Sequence, residues 1–559
     1  MICAVFALGL IPVIPWVEFS GGMENFNIAT ALESQRDDHW LMPYLGLQPR
    51  TAKPPLVHWI TAAGIKLVPQ SLAWGSRGAS IAVSCALLLA VYELGTALDD
   101  GILGLVGAFV CGTTILFLKF AWQASYDLHL ALWVIAANAC LALATFRGRR
   151  WFGFCGAGIA LGLALMAKGP PAILQTVIPW AAFLAWRKWR WNTPAVSPSP
   201  CTQGEGRGGG SSLPKAKSTP TWTAPLIAGL ILTLLISVPW TIYAMWINRH
   251  MLGVIYNEVT LGTEASYETR VRWHGYIVFF PMMLPWLIWF LTGFVEAAKN
   301  AWKATAPTTR VAGLWLAIFW LVLPIVVMTF FPERRDRYLL PMIGPAALIA
   351  AYGVLRHVPR WGAWTPFQRA LVIAHGVTIA AIAIGLPLYG ATKLQTVDAI
   401  PWYSPTVAAA AVGAAVVILA AGIWCYRKSR IGLVAGTVAL MLLSNIVFIW
   451  GYKDSASGRS AGKVFAAAIL SSYPDAQVYN ASPNVRKVLP LELLIYLNRD
   501  VPSLSDPATL PPSSAHPQVL IYAPAEDGAQ VAVAPPDFKE IAARKINTGI
   551  YHAYVREAR

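Results

Sequence analysis

The sequence predicts a polytopic α-helical membrane protein of about thirteen transmembrane helices, followed by a small C-terminal α/β domain. Two observations carry that reading. Hydrophobic residues make up 56% of the 559 positions and charged residues only 13%, far from the composition of a soluble globular chain. The apolar residues also fall in blocks of roughly 17 to 23, the length that crosses ~30 Å of hydrocarbon at ~1.5 Å per residue. Continuous runs of this kind exclude a β-barrel, whose strands alternate in polarity.

The spans read as residues 2–17, 77–97, 101–118, 126–146, 152–167, 170–186, 223–246, 276–296, 310–331, 338–354, 370–390, 405–425 and 431–451. Lipid offers no hydrogen-bond partners, so each is expected to be helical even where Pro239 or Pro285 interrupts it. Residues 1–17 lack a basic leading region and read as a retained first span rather than a signal peptide. Residues 1–451 form the transmembrane domain in this reading, and residues 452–559 a separate domain.

Alternate loops are basic: Arg147, Arg149 and Arg150, then Arg187, Lys188 and Arg190, then Lys299 and Lys303, then Arg356 and Arg360, then Arg427, Lys428 and Arg430. Lys and Arg are retained on the cytoplasmic side, so these loops and the amino terminus are expected inside. The first loop and the C-terminal domain then lie outside. Two outer stretches depart from the rule, one holding Arg270 and Arg272, the other running from Glu333 to Arg337. Residues 452–559 are nearly neutral, so the formal charge of +16 belongs to the membrane part. It reads as topology signal plus anion binding on the outer face, and nucleic acid is excluded as a partner.

Three polar stretches differ in kind. Residues 18–76, the first outer loop, suit a helix from Glu24 to Arg36 and an amphipathic one from Pro54 to Val68, placed to lie in the membrane interface and meet membrane lipids. Residues 187–222 are low-complexity and expected to be a disordered cytoplasmic loop. After residue 451, helical patterns alternate with strand-like runs at 476–480, 518–522 and 549–555, without a Gly-rich phosphate loop or a ligand cluster. That domain is expected to cover or support the site. The cysteines Cys3, Cys85, Cys111, Cys140, Cys155, Cys201 and Cys425 are scattered, with no CxxC and no disulfide framework implied.

Candidate chemistry gathers at outer span ends and loops. The cations are Lys53 in Ala-Lys-Pro-Pro-Leu, Lys168 in Ala-Lys-Gly-Pro-Pro, Arg270, Arg272, and the group Arg334, Arg335 and Arg337 just before Tyr338. Fixed cations stabilise a phosphate whose charge grows as a bond breaks. The competing reading for each is snorkelling to headgroups. The available acids are Glu24, Glu33, Asp37, Asp38 and Asp127. Glu33, Asp37 and Asp38 read as a solvated helix end. Asp127 opens an apolar span, where a carboxylate is costly and therefore suspect; its plainer reading is a charge complementing the helix dipole. His39, His58, His129 and His274 show no metal-ligand spacing, so no metal site is assigned, and a divalent cofactor finds no support in the sequence.

Taken in order, Met23-Glu24, Asp38-His39-Trp40-Leu-Met-Pro43, Lys53-Pro54-Pro55-Leu56, Trp59, Asp127 and Arg337-Tyr338-Leu339-Leu340-Pro341 resemble the bacterial aminoarabinose lipid A transferases and their relatives in the protein mannosyltransferase superfamily. The resemblance covers nearly the whole chain. It implies a GT-C type fold and an inverting glycosyltransferase that moves a sugar from an undecaprenyl-phosphate donor to a lipid A, glycan or protein acceptor at the periplasmic face of a bacterial inner membrane, which makes residues 18–76 the first periplasmic loop. By the same resemblance, Glu24 and Asp127 are the catalytic acids, Lys53, Lys168, Arg334, Arg337 and Tyr338 hold the donor phosphate, and Arg270, Arg272 and His274 are further candidates. Four positions depart from the family pattern: Met23 replaces a leading aspartate, Phe26 and Asn27 replace Arg and Tyr, and Ala52 replaces an acid. The rival readings are a transporter or flippase of lipid-linked sugars and an inactive relative in envelope assembly. A transporter places charges near the midplane, whereas these sit at span ends.

Overall fold

The computed structural model describes the chain except residues 20–21, 52, 192–221, 252, 254–274, 305–307, 332–333, 359–363, 395–429, 453–459, 482–488, 514, 524–533, 547–548 and 559. The expected span at 405–425, most of the loop at 187–222, and Arg270, Arg272 and His274 lie outside the described residues.

The chain is a multi-pass membrane protein. Among the described residues, eight helices are long and apolar enough to cross a bilayer, or nine if one bent pair counts as a span. The membrane domain begins with α1 (Ile2–Leu10) and α2 (Gly22–Arg36). A two-stranded hairpin, β1 (Tyr44–Leu45) and β2 (Gln48–Pro49), leads to α3 (Leu56–Leu67). There follow α4 (Leu72–Leu98), α5 (Gly101–Gly112), α6 (Ile115–Phe120), α7 (Tyr126–Phe146), α8 (Arg150–Lys168), α9 (Pro171–Arg190) and α10 (Thr223–Ile247). The bent pair comprises Tyr276–Met282 and α11 (Leu287–Lys303), which meet at 112°. Beyond it lie α12 (Thr309–Met328), α13 (Ile343–His357), α14 (Pro366–Leu394) and α15 (Arg430–Tyr452).

Local chemistry sets several of these boundaries. The Asp100 carboxylate accepts the Ile102 and Leu103 amides at 3.0 and 2.8 Å and starts α5. Gly169, at φ +79°, ends α8 directly after Lys168 in a conformation that favours glycine. Arg147 donates to the Ala97 and Thr96 carbonyls at 3.1 and 2.7 Å, tying the C-terminal end of α4 to that of α7. Because α7 and α8 pack antiparallel, the start of α7 and the end of α8 meet at the opposite end of the bundle.

Contact between α8 and α10 is backbone on backbone. A Cβ at Gly158 would meet the Gly229 carbonyl oxygen, and one at Gly229 would meet the Phe154 carbonyl. Thr233 adds a hydrogen bond to the Gly158 carbonyl at 3.0 Å. Small residues with a bridging hydroxyl provide the close approach that helices in lipid use in place of hydrophobic burial.

The C-terminal domain holds α16 (Ala461–Ser472), β3 (Gln477–Asn480), α17 (Leu491–Leu497), β4 (Gln518–Tyr522), β5 (Lys539–Ile546) and β6 (Gly549–Arg556). Its sheet runs in the order β3-β4-β6-β5, with β3 and β4 parallel and the other pairs antiparallel. The domain docks on α2: Ile28 and Leu32 share an apolar cluster with Ile495, flanked by Leu491 and Tyr496. Around that contact, Tyr496 donates to Glu18 at 2.7 Å, Lys463 pairs with Glu18 at 2.5 Å, and Arg36 pairs with Asp500 at 2.5 Å.

Replacing Gly229 with valine is expected to force α8 and α10 apart and destabilise the fold by about 1–3 kcal/mol. The measurement is the thermal midpoint in detergent, with a fall of several degrees as the expected result.

Candidate functional site

Two polar clusters sit at the end of the bundle where the first loop folds over α3, α4 and α7. The first contains Asp127, fully buried in the first turn of α7. Lys168, in the last turn of α8, hydrogen-bonds Asp127 Oδ1. Helix dipoles favour an anion at the start of α7 and a cation at the end of α8, so the antiparallel pair brings together two charges that each helix end already stabilises. Arg337 approaches from the other side, its Nε 3.5 Å from Asp127 Oδ2. The Tyr338 ring lies beneath both cations, 4.4 Å from Lys168 Nζ and 5.4 Å from the Arg337 guanidinium carbon.

Arg337 and Tyr338 ride on a 3-10 turn, Asp336–Met342, that leads into α13. This turn is pinned on two sides. Lys119 pairs with Asp336, and Gln175 donates to the Tyr338 carbonyl at 3.5 Å. Arg334, just before the turn, donates to the Thr329 carbonyl at 2.6 Å. Lys53 is half-buried before α3 and stands close enough to Lys168 for their like charges to interact. The sequence-predicted group of Asp127, Lys168, Arg337, Tyr338 and Lys53, drawn from four separate stretches of chain, is thus brought together.

Glu24 occupies the second cluster. Its two carboxylate oxygens accept Arg77 Nε and Nη2 at 2.9 and 2.8 Å, and Oε1 also accepts the Ala124 amide at 3.2 Å. Arg77 is fully buried, donates to the Ile14 and Val17 carbonyls, and is sandwiched between the rings of Phe19 and Trp122 at 4.6 and 4.8 Å. The acid expected to act on substrate therefore has both oxygens committed to a buried arginine. Sequence reasoning missed Arg77, which reads there as the first residue of a span. A charge at the mouth of an apolar run is the signal that could have found it, since such a charge is costly without a partner.

A neutral network links the two clusters. Asn27 donates to Thr61 Oγ1 at 2.7 Å and to the Ala124 carbonyl at 2.9 Å, which turns its amide oxygen toward His58 Nδ1 at 3.1 Å. His58 therefore carries its proton on Nδ1 and presents Nε2 to the Tyr126 hydroxyl at 3.5 Å. Burial, with the Arg50 charge nearby, holds the imidazole well below its ordinary titration range, so it stays neutral. Arg50 stacks over Phe26 at 4.7 Å and over Tyr126 at 5.6 Å.

Glu33 departs from the solvated helix end expected of it. It is 6% exposed and accepts the Gly46 and Leu47 amides, both at 2.8 Å, holding the hairpin turn where both residues have positive φ. Burial raises its pKa, and the two amides oppose that shift. Among the described residues, no group of three or more His, Cys, Asp or Glu side chains could hold a metal ion.

Residues 52–197 match the family model described as dolichyl-phosphate-mannose-protein mannosyltransferase. A curated relative from Sodalis glossinidius, named undecaprenyl phosphate-alpha-4-amino-4-deoxy-L-arabinose arabinosyl transferase 2, is 24% identical over 321 residues, covering 56% of this chain and 51% of that protein. A transferase of similar name from Erwinia tasmaniensis is 23% identical over 380 residues, 64% of this chain and 61% of its own length. The chain spans about half the length of the curated relatives it matches. The crystal structure of ArnT from Cupriavidus metallidurans bound to undecaprenyl phosphate superposes with a TM-score of 0.72 at 15% identity, covering 99% of this chain and 97% of that one. Its apo form gives 0.67. The resemblance read from the sequence holds, and the fold is that of the GT-C membrane transferases.

Removing the Arg77 charge with Arg77→Met leaves Glu24 buried without its cation, and a loss of about 3–5 kcal/mol is expected. Adding Glu24→Gln to that variant is expected to restore part of the loss. Thermal unfolding of both variants and the double variant in detergent measures the coupling between the two residues.

Proposed function

We propose that the protein is an inverting glycosyltransferase that takes a sugar from a polyprenyl-phosphate donor, with its site on the periplasmic face of a bacterial inner membrane. The observation that carries this reading is the cation group around one buried carboxylate: Lys168 and Arg337 on Asp127, with Tyr338 beneath and Lys53 beside them. The GT-C fold, and undecaprenyl phosphate in the related crystal structure, support a lipid phosphate as the anion these cations meet.

The chemistry follows from the charge distribution. As the acceptor oxygen forms its bond to the anomeric carbon, the bond to the phosphate oxygen breaks on the opposite face and the configuration inverts. The leaving polyprenyl phosphate takes the electron pair and, where the acceptor is a hydroxyl, also takes up the proton that the hydroxyl gives up. Lys53, Lys168 and Arg337 stabilise its growing charge, with Arg334 at the margin of the group, and such preorganised cations act most strongly where water is excluded. A phosphate is a good leaving group, so no general acid is needed. Asp127 holds the two cations in place and is the carboxylate this reading assigns to the site. Glu24 enters it as the anchor of the first loop. The sugar arrives on a lipid, and the acceptor is a lipid, glycan or protein group at the same face.

Lys53→Ala removes a half-buried cation from the rim and is expected to lower sugar transfer by roughly 10²-fold while the protein still inserts and keeps its thermal midpoint. Release of undecaprenyl phosphate from a radiolabelled donor, in proteoliposomes, measures the effect. Full activity in Lys53→Ala and in Lys168→Ala would remove the proposed site.

A further inference from the structure

Resting on the donor reading above, we propose that Thr51 and Asn248 are positioning residues for Lys53. Their hydrogen bond fixes the first loop to the C-terminal end of α10 and so sets where the Lys53 ammonium meets the donor phosphate.

Between α2 and α3 the described chain has a two-stranded hairpin as its regular structure, too little to place a side chain by itself. Side chains of neighbouring elements hold the segment instead. Trp59 of α3 donates its indole Nε1 to the Trp40 carbonyl at 2.7 Å, and Trp240 of α10 donates its own to the Leu41 carbonyl at 2.8 Å. Glu33 holds the hairpin turn. Past the hairpin, Asn248 Nδ2 donates to Thr51 Oγ1 at 3.1 Å.

The orientation of Asn248 follows from its second contact. Its Oδ1 accepts the His250 amide at 3.0 Å, and because an N–H donates, Nδ2 is the atom turned toward Thr51. Thr51 is 3% exposed, so its hydroxyl is held where its partner is. One residue separates Thr51 from Lys53 in the sequence, and Pro54 and Pro55 follow. A proline confines the residue before it to extended backbone and locks its own φ, so the stretch from Lys53 into α3 is stiff. A displacement at Thr51 therefore carries Lys53 with it.

The helix that holds Thr51 also registers Lys168. α8 and α10 run parallel in contact: Gly158 meets Gly229, a Cβ at Gly162 would meet Ile236, and Met166 shares an apolar cluster with Trp240 and Met42. Lys168 lies two residues beyond Met166. Packing on α8 thus references Lys168 to α10, and the Asn248–Thr51 bond references Lys53 to the same helix. The spacing of the two lysines is set by one element, and a phosphate gripped by both depends on that spacing, because such contacts weaken steeply with small misplacements.

Binding of undecaprenyl phosphate to the full-length protein in nanodiscs tests this, together with the thermal midpoint. Thr51→Val keeps the side-chain shape and removes the hydroxyl, and Asn248→Ala removes the donor. Each is expected to weaken binding by roughly 10-fold while the midpoint falls by no more than a few degrees, and Thr51→Ser, which keeps the hydroxyl, is expected to bind as the unaltered protein does. Lys53→Ala is expected to weaken binding at least as much. Adding Thr51→Val to it is expected to cause no further loss, since the loop then has no ammonium to place. Unaltered binding in Thr51→Val and Asn248→Ala, with Lys53→Ala impaired, would overturn the inference and leave the donor reading intact. The full Thr51→Val loss on top of Lys53→Ala would overturn it too, because the hydroxyl would then act on the loop at large. Unaltered binding in Lys53→Ala would remove Lys53 from the donor site, and this inference with it.

Discussion

The ion pair between Glu24 and Arg77 is the interaction on which the rest of the site depends. A guanidinium fully buried at the head of α4 cannot stay there alone, because an unpaired charge in such surroundings costs several kcal/mol. Glu24 answers it with two parallel hydrogen bonds, the geometry in which arginine and carboxylate bind best. The aromatic faces of Phe19 and Trp122 close over the guanidinium. One consequence is positional. The same carboxylate takes the Ala124 amide, three residues before Asp127, so the first loop, α4 and the start of α7 are fixed relative to one another by a single buried group.

A second consequence concerns how charge is distributed across this end of the bundle. Glu24 is occupied in holding structure, and Asp127 is the acid that the described residues set among the cations. The helices help here, since Asp127 lies in the first turn of α7 and Lys168 in the last turn of α8, each at the end where its own helix favours it. Arg337 comes from a turn that Lys119 and Gln175 pin from outside. The cluster is therefore built from helix ends and a braced turn, which hold side chains more firmly than free loops do.

Much of this was legible in the sequence, for identifiable reasons. Apolar blocks gave the long helices because nothing else satisfies a backbone in lipid. Asp127, Lys168 and Arg337 stood out because charges beside apolar runs are expensive and therefore informative. What periodicity could not supply was partnership across the chain. Arg77 sits 53 positions from Glu24 and looks like the edge of a span, and Glu33 looks like a solvated helix end until the hairpin amides of Gly46 and Leu47 are folded against it. The expected span at 276–296 proved to be a short segment and a longer helix set at 112°, an angle that hydropathy does not encode. The C-terminal domain was readable as α/β from its alternating patterns, but not its strand order or its seat on α2.

That seat joins residues far apart along the chain. Phe19 donates its amide to the Tyr496 hydroxyl across 477 positions, and Arg36 meets Asp500 across 464. The first loop emerges from the ribosome early, but the surface that clasps α2 is synthesised only after the last membrane helix. Until then the loop has its ion pair with Arg77 and lacks its outer brace. The finished arrangement therefore marks a chain whose synthesis has run through the C-terminal domain, and a nascent or clipped chain presents a differently supported loop to the membrane surface.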